Sequence, residues 1–180
     1  MSVIAGIFVG GAATRMGGAR KELLATPSGE TIRARWERTF AELEIPCVVV
    51  GGPAPGALPD EGAGAGPLGG LAALLAHAGT RYAIAVAGDM PFVTSAMVAR
   101  LAASTPRTVL APRRDGRWEP FFSIWNAAQC LPSVRARIAS GALALQGALD
   151  ALGADELALD DDEKRNLFDW DTREDVARER

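Results

Sequence analysis

A chain of 180 residues is of a length that one domain fills, and it can bury a substantial core. Hydrophobic residues make up 48% and charged residues 23%, which excludes a disordered or fibrous chain. Nineteen basic against 22 acidic side chains leave a net charge of −3 with no stripe dense in Lys or Arg, so a nucleic-acid backbone is a disfavoured partner while a single nucleotide is not.

Cys47 and Cys130 stand far apart without C-x-x-C spacing, and His77 has no second histidine beside it. That pattern argues against a structural zinc site and a disulfide framework and fits a reducing cytoplasm. The apolar start from Ser2 to Ala13 lacks a preceding basic segment and carries adjacent glycines, so it reads poorly as a signal peptide. Between Glu61 and Arg81 lies a charge-free stretch, but six glycines and Pro67 interrupt it, whereas a spanning helix needs about 20 continuous apolar residues. No membrane segment is expected.

Val3 to Val9 is an unbroken apolar run closed by Gly10-Gly11, as expected of a strand buried on both faces of a parallel sheet. After a long loop, Ile32, Trp36, Phe40 and Leu43 recur at helical spacing between Thr31 and Leu43, with Arg33, Arg35, Glu37 and Arg38 on other faces. Cys47 to Val50 reads as a second strand, ended by Gly51-Gly52-Pro53, and Leu68 to His77 reads as a helix. Tyr82 to Ala87 is a third strand, followed by Gly88-Asp89-Met90-Pro91, and Thr94 or Ser95 caps a helix to about Ala103.

Further strands are expected at Thr108 to Ala111 and Phe121 to Trp125, separated by a hairpin at Arg114-Asp115-Gly116-Arg117, with helical stretches at Val134 to Ile138 and Leu143 to Leu152. The acidic run Asp160 to Glu163 reads as a solvated turn before a last helix from Thr172. Alternating strands and helices predict a three-layer α/β/α sandwich, Rossmann-like, with a mostly parallel sheet in one domain over residues 1–180.

In open α/β sheets ligands bind beyond the carboxyl ends of the strands, where Gly10-Gly11, Gly51-Gly52 and Gly88-Asp89 fall. The segment from Gly10 to Lys21 combines four glycines with Arg15, Arg20 and Lys21, so its backbone can approach a polyphosphate closely while the cations balance its charge. It is not a Walker A loop: five residues separate Gly11 from Gly17, and Glu22 follows Lys21. Nor does it carry the dinucleotide pattern G-x-G-x-x-G. Asp89, at the end of an apolar strand, is either a loop carboxylate bonded to backbone N–H groups or a ligand for Mg²⁺, which needs few protein carboxylates when substrate phosphates complete its shell.

These motifs together resemble the molybdenum cofactor guanylyltransferases within the MobA-like nucleotidyltransferases. Phe8-Val9-Gly10-Gly11-x-x-x-Arg15-Met16-Gly17-Gly18-x-x-Lys21 resembles the family's L-A-G-G-x-x-x-R-M-G-G-x-x-K opening, departing at Phe8 and Val9. Gly66-Pro67-Leu68-Gly69-Gly70 resembles its G-P-L-x-G segment, and Ala87 to Phe92 its metal-binding strand end. Asp169 to Asp175 resembles its closing N-x-N-T-P-E-D, with aspartates for both asparagines and Arg173 for the proline. Gly51 and Gly52 stand where the family often has an asparagine.

The resemblance implies GTP as substrate, Mg²⁺, and Mo-molybdopterin as acceptor. Phe8, Val9, Gly10 and Gly11 would line the nucleoside, Arg15 and Lys21 would hold the triphosphate, and Asp89 would bind the metal. Gly66, Pro67 and Leu68 would flank the base, joined by Asp60. Asp171 is open to a metal role or a helix cap, and Arg113, Arg114 and Arg117 to the pterin side or a solvated hairpin. His77 is expected at a helix C-terminus, and Cys47 and Trp36 in the core. A cytidylyltransferase of the same group and a catalytically silent nucleotide-binding regulator are the alternatives. Transient contact with cofactor-delivery proteins or molybdoenzymes would follow from the family's work in cofactor assembly.

Overall fold

The computed structural model describes residues 2–9, 21–26 and 29–168. Its strands are β1 (Val3–Phe8), β2 (Cys47–Val50), β3 (Tyr82–Ala87), β4 (Val109–Ala111), β5 (Arg113–Arg114), β6 (Arg117–Trp118), β7 (Phe122–Asn126) and β8 (Asp155–Glu156). The helices are α1 (Ile32–Glu42), α2 (Pro67–Ala78), α3 (Ser95–Ala102), α4 (Ala127–Ala139), α5 (Leu145–Leu152) and α6 (Asp161–Arg165), and a 3-10 turn covers Lys21–Leu23.

Six strands form one sheet in the order β2-β1-β3-β7-β4-β8. β1 runs parallel to β2 and β3, and β4 parallel to β8, while β7 is antiparallel to both its neighbours. The sheet is therefore mixed and mostly parallel, with helices on both faces, as the alternating pattern predicts. Side chains alternate along each strand and feed two cores. One face packs Ile4, Ala83, Ala85 and Trp125 against Leu71, Leu74 and Leu75 of α2 and Val134 of α4. The other packs Ile7, Ile84, Val86 and Ile124 against Trp36 and Phe40 of α1 and Met97 and Leu101 of α3. Gly6 lets α2 come close to β1, since a Cβ there would lie 2.6 Å from Leu74 Cδ2.

The spacing-based helix at Thr31 to Leu43 is α1, capped by the Thr31 hydroxyl, which accepts from the Ala34 N–H. Thr94 caps α3 in the same way through Met97 N–H. The hairpin turns at Asp115-Gly116, both with positive φ, as a two-residue turn of matching twist requires. His77 is exposed in the last turn of α2, Trp36 is fully buried, and Cys47 is half-buried on β2.

Two expectations are corrected and one strand is added. α4 begins at Ala127, well before Val134, because the Asn126 side chain caps it and Pro132 sits inside without ending it. The acidic run is helix rather than turn: Asp160 and Glu163 form a reciprocal capping box that opens α6. β8 adds a strand with no apolar pattern of its own, being two exposed acidic residues recruited to the sheet edge by β4. The helix expected from Thr172 lies outside the described residues. Among the described residues no helix is long and apolar enough to cross a membrane.

Candidate active site

β1, β2 and β3 end on one rung, with Phe8 paired to Val50 on one side and to Ala87 on the other. Two backbone bonds just past that rung tie the ends together, and a third holds the loop after β2 against it. Val9 N–H donates to Val50 O at 2.9 Å, Gly88 N–H to Phe8 O at 2.8 Å, and Gly51 N–H to Leu58 O at 2.9 Å. Sequence segments about forty residues apart, Phe8-Val9, Gly51-Gly52 and Gly88-Asp89, thus share one edge of the sheet.

Two glycines there are required by close approach. A Cβ on Gly51 would sit 2.9 Å from the Val9 carbonyl, and the residue holds φ +75°. A Cβ on Gly70, in the first turns of α2, would sit 3.0 Å from Phe8 Cε1 and 3.1 Å from Asp60 Oδ1. Asp60 is exposed, yet its carboxylate reaches over the rung between Gly51 and Gly70, beside the Phe8 ring. The ring itself packs on Phe121, with centroids 4.9 Å apart. Gly66 enters α2 at φ 56°, Pro67 takes the first helical position, and Leu68 is fully buried, so Leu68 offers a ligand its backbone rather than its side chain.

Phe8, Val9, Asp60, Gly66, Pro67, Leu68 and Asp89 fall among the described residues around this edge. Gly10, Gly11, Arg15, Asp169 and Asp171 lie outside the described residues. Lys21 opens the 3-10 turn that leads into α1.

Asp89 is half-buried one residue beyond Gly88. Beside that strand end lies a carboxylate that the motifs do not single out. Glu22 is 5% exposed, and its Cβ would be 3.0 Å from a Cβ on Gly88. Its one signal in the sequence is its position directly after Lys21, in a loop that ends against the sheet. Among the described residues no group of three or more His, Cys, Asp and Glu is arranged to hold a metal ion. The Asp89 carboxylate at this strand end is a hard oxygen donor, which suits a hard divalent cation whose remaining positions are filled by phosphate oxygens and water, and suits zinc poorly. The residues present therefore fit Mg²⁺.

The Asp89 segment is braced from α1. Trp36 Nε1 donates to Ala87 O at 3.0 Å and Arg35 Nη2 to Val93 O at 2.7 Å, one contact on each side of Gly88 to Phe92. On the hairpin, Arg113 stacks over Trp118 at 3.7 Å and Arg114 pairs with Glu119 at 2.6 Å, so both guanidinium groups have carboxylate or aromatic neighbours within the fold.

The MobA-like NTP transferase domain family matches residues 5–156. A molybdenum cofactor guanylyltransferase of Mesorhizobium japonicum is 34% identical over 148 residues, which cover 73% of this chain and 71% of that protein. Among solved structures, the molybdopterin-guanine dinucleotide biosynthesis protein A of Archaeoglobus fulgidus is 20% identical with a TM-score of 0.68, covering 99% of this chain and 96% of that one. The 2-C-methyl-D-erythritol 4-phosphate cytidylyltransferase of Thermus thermophilus is 19% identical with a TM-score of 0.65, covering 99% and 97%. At such identities the two structures speak for the fold alone.

Proposed function

We propose, because this chain belongs to the MobA-like NTP transferase domain family and so is a nucleotidyltransferase, that it transfers GMP from GTP to Mo-molybdopterin and releases pyrophosphate. The observation that carries this reading is the Asp60 carboxylate reaching over the rung between Gly51 and Gly70, in a chain 34% identical to a guanylyltransferase. Guanine presents N1–H and N2–H₂ donors along one edge, which a carboxylate accepts, whereas cytosine places acceptors on its corresponding edge.

In this reading the phosphate of the pterin attacks the α-phosphorus of GTP. A new P–O bond forms there, the bond to the bridging oxygen breaks, and pyrophosphate leaves with that electron pair. The second pKa of a phosphate monoester is about 6, so the nucleophile is already ionised and no general base is required. Arg15 and Lys21 hold the triphosphate and neutralise charge on its oxygens, and Phe8 to Gly11 line the nucleoside. Asp89 would hold Mg²⁺, which when bound would neutralise charge on the phosphoryl oxygens. The protein does this work in the cytoplasm as one domain over residues 1–180.

Incubation with labelled GTP, Mg²⁺ and Mo-molybdopterin tests the reading. Pyrophosphate and a guanine dinucleotide product are expected. GTP binding without either product would make the protein a silent nucleotide-binding module, and a cytosine dinucleotide formed preferentially from CTP would make it a cytidylyltransferase.

A further inference from the structure

Asp60 is followed by a residue tied to a different part of the molecule. Glu61 accepts two hydrogen bonds from Arg135 of α4, from Nη2 to Oε1 at 2.8 Å and from Nε to Oε2 at 2.9 Å. One turn further on α4, Ile138 Cγ2 would lie 3.1 Å from a Cβ on Gly62. Residues 135 and 138 share a helix face, so one face of α4 carries the segment just after Asp60. From the other side, Glu61 N–H donates to Gly69 O at 3.0 Å, and the Glu61 carbonyl comes so near α2 that a Cβ on Gly69 would sit 2.5 Å away.

Glu61 is therefore gripped between α2 and α4, one peptide away from the carboxylate that overhangs the rung. A fork-to-fork pair fixes orientation as well as distance, which a single contact does not. The Arg135 guanidinium also holds the Glu61 carboxyl below the usual carboxylate range, so the pair is ionised at neutral pH.

We propose that the Glu61–Arg135 pair is a latch through which α4 sets the position of Asp60, and with it the affinity for the guanine nucleotide. The inference rests on the guanylyltransferase reading. Arg135 is a positioning residue, since it acts through Glu61 and Asp60. A pair at the surface contributes little to global stability, so its effect belongs in nucleotide binding rather than in the melting temperature.

The test measures GTP affinity by calorimetry with Mg²⁺, together with KM and kcat, in wild type, Arg135→Ala, Glu61→Gln, Asp60→Asn and the double variant Asp60→Asn/Arg135→Ala. Arg135→Ala and Glu61→Gln are each expected to weaken GTP binding about fivefold and to raise KM in step, with kcat and melting temperature close to wild type. Adding Arg135→Ala to Asp60→Asn should cost nothing further, because the latch then has no carboxylate to place. Unchanged GTP affinity in Arg135→Ala, or a loss that adds in full to that of Asp60→Asn, overturns the latch alone. Wild-type protein that binds no GTP overturns the guanylyltransferase reading and the latch with it.

Discussion

Trp36, fully buried on α1, donates its indole N–H to the carbonyl of Ala87, the last residue of β3, across 51 residues of sequence. The bond fixes the strand end from which Gly88 and Asp89 project. Trp36→Phe keeps an aromatic ring against Phe40 but leaves that carbonyl without its donor, so stability should fall by about 1–3 kcal/mol. Turnover should fall with it, because the Asp89 segment then keeps only the Arg35 brace at Val93. Chemical denaturation and steady-state kinetics check both. A variant as stable as wild type would show that the bond contributes little.

For Asp89 the expected outcome is a loss of chemistry without a loss of fold. The side chain is half-buried at a strand end rather than in either core, so Asp89→Ala removes the carboxylate assigned to the cation in the proposed reading without emptying a core position. Turnover should vanish in the presence of Mg²⁺, while circular dichroism and melting stay near wild type. Wild-type rates in this variant would remove Asp89 from the metal site.

How far the sequence announces these features depends on the range over which each is encoded. The apolar runs of β1 and β3 and the glycine breaks behind them are local signals, and so are the Thr31 and Thr94 caps. The edge formed by Phe8, Gly51 and Gly88 follows from them, because parallel strands starting together end together. β7 reads as a strand, but a residue pattern does not state direction, and its antiparallel course is set by the connections around it. Pro132 hides the first half of α4 because proline ordinarily marks a helix end. The capping box at Asp160 and Glu163 is legible in the sequence, although the charge density of that run points toward a solvated turn. The burial of Glu22, the Trp36 bond and the Arg135–Glu61 pair depend on tertiary neighbours far along the chain, so no local pattern carries them.

Gly88 is closed in by backbone. Its N–H bonds to Phe8 O, and a Cβ there would sit 3.0 Å from that same oxygen and 3.0 Å from Glu22 Cβ. A strand backbone yields less readily than a side-chain tip, so Gly88→Ala should cost about 1–3 kcal/mol as overpacking. The displacement falls between Phe8 and Asp89, so kcat is expected to drop more than GTP affinity. Equal activity would mean that the strand ends can separate without harm.

Cys130 supplies a pH dependence of known sign. It is fully buried on α4, its Sγ donates to Thr108 O at 3.2 Å, and desolvation pushes its thiol up to about 12. The folded value lies above the unfolded one of about 8.5, so the neutral thiol's contribution is whole below about pH 8.5 and is lost as pH rises toward the folded value. The stability difference between wild type and Cys130→Ala should therefore shrink from roughly pH 8.5 upward. Denaturation curves at a series of alkaline pH values test this, and a difference independent of pH would refute it. Alkylation of Cys130 in the native protein at neutral pH should be slow for the same reason.

Base choice is the prediction with most bearing on function. The Asp60 carboxylate beside Gly51 and Gly70 is an acceptor only, and in the proposed reading it would meet the donor edge of guanine with charge-assisted hydrogen bonds. Cytosine would place its own acceptors there and suffer repulsion, unless the glycine-rich backbone between Gly62 and Gly70 turned N–H groups toward it. GTP should be preferred over CTP by at least about tenfold in kcat/KM, or about 1.4 kcal/mol, which one well-placed hydrogen bond can supply. Asp60→Asn converts half of the acceptor to a donor, so it should weaken GTP, relieve the repulsion of cytosine's acceptors and narrow that ratio from both sides. Competition between the two nucleotides, with the dinucleotide products resolved by mass, measures the ratio in both proteins. Equal use by wild type would overturn the base assignment, and an unchanged ratio in Asp60→Asn would move guanine recognition away from Asp60.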